Sequence, residues 1–105
     1  MSHSLIYITA SDAEEAKRIG RALVNAQLAA CVNVFTGMIP IFWWEGEVQE
    51  DSEAVLIAKT RSALIDRVTA FVKERHSYDC PAVVAVPVQG GNAAFLDWLD
   101  SETGG

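Results

Sequence analysis

The segment His76-Ser77-Tyr78-Asp79-Cys80 gathers an imidazole, a phenol and a thiol at alternate positions. Extended backbone sends successive side chains to opposite faces, so His76, Tyr78 and Cys80 would point to one side. Cys31 supplies the only other thiol. Thiolate and imidazole are suitable donors for copper, which prefers soft sulfur in its reduced state. Cys31 or Cys80 with His76 is therefore the candidate metal set, and Glu53 is a weaker oxygen donor. Neither HxxxH nor CxxC occurs, so such a site has to be built from distant segments or from two subunits. Glu53 and Lys59 fall on one face of a strand, flanking Val55 and Ile57. They could rim a cleft between subunits that holds a metal or a small polar ligand, with Asn33, Trp44 and Tyr78 as further candidates.

Each of these residues also has a plainer reading. His76 follows a helix, where it would be a capping or surface histidine favoured by the helix dipole. Cys31 in a strand would be a small buried hydrophobe. Glu53 and Lys59 would be strand-end charges in water, worth little. His3 is expected in a mobile terminus and is left out of the metal set. Ser77 and Asp79 beside His76 resemble a triad only superficially. Three residues so close along one strand cannot form the relay, and no GxSxG elbow exists. No enzymatic activity and no organic cofactor are expected.

The elements that must position these groups follow from the hydrophobic periods. "LIYIT" (5–9) is a β-branched and aromatic run, hence a strand. Ser11 with Glu14 gives a capping-box pattern ahead of a helix over 12–27, whose Ala16, Ile19, Leu23 and Val24 share one face. "AACVNVF" (29–35) is a second strand, continuing past a break near Gly37 and Pro40 into "IFWW". Glu45-Gly46 turns the chain into a long third strand ending in "EAVLIAKT" (53–60). Leu64, Ile65, Val68, Phe71 and Val72 define a second helix over 62–76, which Pro81 cannot extend. "AVVAVPV" (82–88) is the last strand. "QGGN" (89–92) leads into a terminal helix with Phe95, Leu96, Trp98 and Leu99, and lacks the glycine pattern or lysine of a phosphate loop. The order β-α-β-β-α-β plus a helix defines an α+β, ferredoxin-like domain over 1–105.

Charge and composition limit the partners. Eight basic against fourteen acidic residues leave a net charge of −6, which repels nucleic acid and anionic membrane surfaces. No apolar run approaches the roughly 20 residues of a membrane span. The N-terminus shows no secretory signal, and two lone cysteines without CxxC spacing fit reduced thiols in the cytoplasm.

The strands are apolar on both faces: Leu5 and Tyr7 oppose Ile6 and Ile8, and Val55 and Ile57 oppose Ala54, Leu56 and Ala58. In this topology the two main helices can cover only one face. A short sheet that exposes a few valines is the plainer alternative. The reading preferred here is a homo-oligomer in which bare faces meet, with Trp43 and Trp44 buried against a neighbouring subunit. Pairing the hairpin's free edge would also blunt an aggregation-prone strand.

"LAACVNVF", "FWWEGEVQEDSEAVLIAKT", "RHSYDCPAVVAVPV" and "NAAFLDWL" together resemble the CutA divalent-cation tolerance proteins, in order and across almost the whole chain. The resemblance implies a tight homotrimer locked by long hairpins, and a cytoplasmic role in tolerance of copper and other divalent metals. Ile8 stands where some bacterial relatives have a cysteine, and Arg75 where a second histidine can occur. Both differences remove metal donors. A small-molecule sensor resembling the trimeric PII signalling proteins is the alternative, on analogy of fold.

Overall fold

The computed structural model describes residues 2–104, so both ends of the expected 1–105 domain lie outside the described residues. The elements are β1 (His3–Ala10), α1 (Ala13–Asn25), β2 (Cys31–Met38), β3 (Ile41–Trp44), β4 (Glu47–Glu50), β5 (Glu53–Arg61), α2 (Ile65–Arg75), β6 (Val83–Val88) and α3 (Ala93–Glu102). A 3₁₀ turn, Ser62–Leu64, leads into α2. Four strands form one antiparallel sheet in the order β2-β5-β1-β6, while β3 and β4 pair as a separate ribbon. This is the ferredoxin-like arrangement, with the hairpin between its second and third strands extended beyond the sheet.

The core lies between one sheet face and helices α1 and α2. Ile6, Ile8, Leu56 and Ala58 meet Ile19, Leu23, Val68 and Val72 there, all fully buried. Gly20 allows α1 to lie close on β2, because a β-carbon there would stand 3.0 Å from Val32.

The helix starts one residue later than the capping pattern predicts. Asp12, not Ser11, is the N-cap and accepts from the Glu15 N–H at 2.8 Å. Glu15 instead of Glu14 reaches back, accepting from the Ser11 N–H at 2.9 Å. The helix stops at Asn25, short of the expected 27, because Gln27 turns left-handed (φ 57°). The N–H groups of Gln27 and Leu28 then bond Val24 and Leu23, a Schellman end.

The hairpin is segmented rather than continuous. Gly37 at φ 72° accompanies a register shift between Phe35 and Met38, and the expected long third strand is broken at Asp51-Ser52 into β4 and β5. At the tip both Glu45 (φ 51°) and Gly46 (φ 79°) take positive φ, the geometry of a two-residue type I′ turn.

The second sheet face stays open. α3 covers only its His3–Arg61 end: His3 Nε2 meets Asp100 Oδ1 at 2.8 Å, and Arg61 Nε donates to Thr103 Oγ1 at 2.8 Å. His3 is thus a buried residue of β1, not part of a mobile terminus. Beyond α3, Phe35, Val84, Val86 and the hairpin residues Trp43 and Trp44 are exposed, Trp43 by 74%.

Candidate functional site

Four hydrogen bonds into one carboxylate organise the segment after α2. Glu15 is buried at the start of α1, and its Oε1 accepts from the Ser11 hydroxyl and the Ser77 hydroxyl, each at 3.0 Å. Its Oε2 accepts from the Ser77 N–H at 2.8 Å, and Arg18 stands 3.5 Å away. Burial works to raise the pKa of Glu15, but the hydrogen bonds from Ser11 and Ser77 prevail and lower it to about 2.

His76 sits beside this carboxylate with its side chain fully buried and Nδ1 4.0 Å from Glu15 Oε1. Its Nδ1 accepts from the Tyr78 N–H at 3.0 Å, which leaves Nε2 to donate to the Thr9 carbonyl at 2.6 Å. Both ring nitrogens are therefore engaged, in the Nε2–H tautomer. His76 is the C-cap residue of α2, as the plainer expectation has it, but its ring is buried against β1 and not at the surface.

Tyr78 packs on this ring, with centroids 4.8 Å apart, and donates its hydroxyl to Glu53 Oε2 at 2.6 Å. Burial raises its phenol pKa well above the ordinary range. The hydrogen bond to Glu53 and the charges of Glu53, Asp51 and Glu15 add to that effect. Next to the pair lies a cavity of about 490 Å³, walled by Tyr7, Thr9, Met38, Pro40, Phe42 and Glu53. A second cavity, of about 320 Å³, runs between α1 and β2 beside Lys17, Arg21 and Val34, and holds none of the expected site residues.

The expected metal set does not converge within one chain. Cys31 pairs with Lys59 at one end of β5, whereas Glu53 begins the other end. Six residues of strand separate them by roughly 20 Å. Cys80 is exposed, and residues 77–80 form bends in place of the extended run that would align it with His76. Use of His76 as a ligand would break its bond to Thr9 or to Tyr78. Among the described residues, no group of three or more His, Cys, Asp or Glu side chains could hold a metal ion.

The cleft set is divided in the same way. Glu53 and Tyr78 meet, but Lys59 lies at the opposite end of β5, 5.5 Å over the Phe95 ring. Asn33 is exposed opposite Ile57, and Trp44 lies out on the hairpin. Glu15, Ser11 and Ser77 were absent from the candidate set. The available signal was an acid four residues before Ile19, on the helix's apolar stripe. Ser77 belongs to the Glu15 carboxylate and forms no triad with His76 and Asp79.

Fold and geometry together define a class: a ferredoxin-like subunit with an uncovered second face and a long aromatic hairpin. The family model described as "CutA1 divalent ion tolerance protein" matches residues 4–102. The chain belongs to this CutA family. It is 44% identical over 99 residues to "Protein CutA 1, chloroplastic" of Oryza sativa subsp. japonica, covering 94% of this chain and 56% of the rice protein. The chain thus spans little more than half of that relative's length. Against "Divalent-cation tolerance protein CutA" of Archaeoglobus fulgidus, identity is 46% over 98 residues, covering 93% of this chain and 95% of the relative. The solved structure of the "Periplasmic divalent cation tolerance protein CutA" from Archaeoglobus fulgidus superposes with a TM-score of 0.94 at 44% identity, covering 97% and 99% of the two chains.

Proposed function

We propose that this chain acts as a non-enzymatic cytoplasmic homotrimer, serving divalent-metal tolerance through clefts between its subunits. The carrying observation is the uncovered second face. Phe35, Val84, Trp43 and Trp44 are each more than half exposed in the single chain. Isolated exposed apolar residues are ordinary, but Phe35 and Val84 share one open sheet face and the hairpin adds two exposed tryptophans, an amount of apolar surface that suits an interface. Two free cysteines support a reducing compartment. Among the described residues, no helix is long and apolar enough to cross a membrane.

Copper is the ion that the thiols of Cys31 and Cys80 favour, with further donors contributed across a subunit boundary. Copper titration of the trimer under reducing conditions tests this reading. Saturable binding weakened by Cys31→Ala or Cys80→Ala supports it, and binding indifferent to both substitutions removes it. The cavity beside Tyr78 and Glu53 favours a second reading, a PII-like sensor of a small polar ligand. Calorimetry with copper, zinc and nucleotides in turn separates the two.

A further inference from the structure

The loop that carries Tyr78 has few ties of its own. Residues 77–80 form consecutive bends, without the backbone ladder of a strand. Its fixed points are side-chain bonds to residues far away in sequence. Ser77 is held by its N–H and its hydroxyl on Glu15, across 62 positions of chain. His76 is held by Nε2 on the Thr9 carbonyl, across 67 positions. The Tyr78 N–H closes back on His76 Nδ1, which fixes where the phenol projects.

We propose that Glu15 is the positioning residue of the cleft: through its two bonds from Ser77 it holds loop 76–80 so that Tyr78 meets Glu53. Glu15 is not among the residues that wall the cavity, and it acts through Ser77. A carboxylate suits this role because it accepts at two oxygens and donates nothing, so four converging donors all find an acceptor. Glutamine at the same position would present its NH₂ to Ser77 or Ser11, donor against donor. The loop would then lose one anchor and Tyr78 would leave Glu53. Arg18 is the charged group facing this node, at 3.5 Å, and the neutral His76 ring lies 4.0 Å away. Arg18 is largely exposed, so it contributes little to holding the loop. The positioning role rests on the cleft reading only for its consequence for a bound ligand.

Nuclear magnetic resonance of the assembled protein, with its two tyrosines isotopically labelled, reads the loop without any ligand. Tyr7→Phe assigns the two ring signals. The Tyr78 ring lies 4.8 Å from the His76 ring, so its resonances carry a ring-current displacement that reports their contact. Glu15→Gln should move the Tyr78 resonances towards those of an exposed tyrosine and leave Tyr7 in place. Arg18→Ala should move neither. If Glu15→Gln does not fold, the double change Ser11→Ala with Ser77→Ala removes two donors and is read in the same way. Unmoved Tyr78 resonances in a folded variant overturn the proposal, as does equal movement of both tyrosines. Failure here leaves the trimer and copper experiments untouched, since those report on the interface and the thiols.

Discussion

Tyr78 donates to Glu53 across 2.6 Å, joining the loop after α2 to the first residue of β5. The two residues lie 25 positions apart, and Glu53 also walls the larger cavity. A bond to an ionised acceptor is worth more than a neutral one, roughly 1.5–3 kcal/mol. Tyr78→Phe should lower unfolding free energy by about that amount in urea titration. An unchanged midpoint and slope would show that the pair adds nothing to stability.

Acid should weaken the fold through Glu15. Its folded pKa is lowered from 4.5 to about 2 because the bonds from Ser11 and Ser77 outweigh the opposing effect of burial. A depressed pKa contributes stability that is complete above the unfolded value and is lost as pH falls through the folded one. The window is therefore between about pH 4.5 and about pH 2. The stability at stake is roughly 3 kcal/mol. Urea unfolding at stepped pH should show this acid limb, and Glu15→Gln should flatten it while reducing stability at neutral pH.

Trp44 is 59% exposed in the single chain, so its removal costs the isolated subunit little. In an assembly that buries it, Trp44→Ala leaves a cavity costing roughly 3–5 kcal/mol per site. Sedimentation should show a trimer for the unaltered protein and smaller species for the variant. A Trp44→Ala protein that remains a trimer with unchanged melting would place this side chain in solvent.

His76→Ala should act on stability and not on metal. It deprives the Thr9 carbonyl and the Tyr78 N–H of their partner and empties a fully buried position. A loss of about 2–4 kcal/mol is expected from unpaired groups and lost packing together. Copper affinity, measured on the folded variant, should stay where it was. A large fall in affinity at preserved stability would restore His76 as a ligand.

Much of the architecture is a local matter and was legible in the residues. β-Branched alternation marks β1, β5 and β6, and the helical spacing of Ile19 with Leu23, and of Val68 with Val72, marks the faces that became core. Glu45-Gly46 announced a turn because only a few residue types accept two consecutive positive φ values. The bare second face was also readable, since a strand covered on one side does not spend valines on the other.

What the sequence left open were choices between equals and contacts across distance. Ser11 and Asp12 can both cap a helix. Asp12 took the cap, and the one-residue shift put Glu15, not Glu14, in the buried position. His76, the C-cap of α2, reads as a surface residue until α2 packs against the sheet and brings Thr9 to within 2.6 Å. Cys31 and Glu53 look like partners until antiparallel pairing sets the start of β2 against the end of β5. Local pattern depends on neighbours a few residues away, whereas Glu15 meets Ser77 across 62 residues. The sequence by itself determined the elements and which of their faces are apolar. Only the tertiary structure decided which polar groups meet, because hydrogen bonds of about 3 Å require packed elements to be placed to a fraction of that distance.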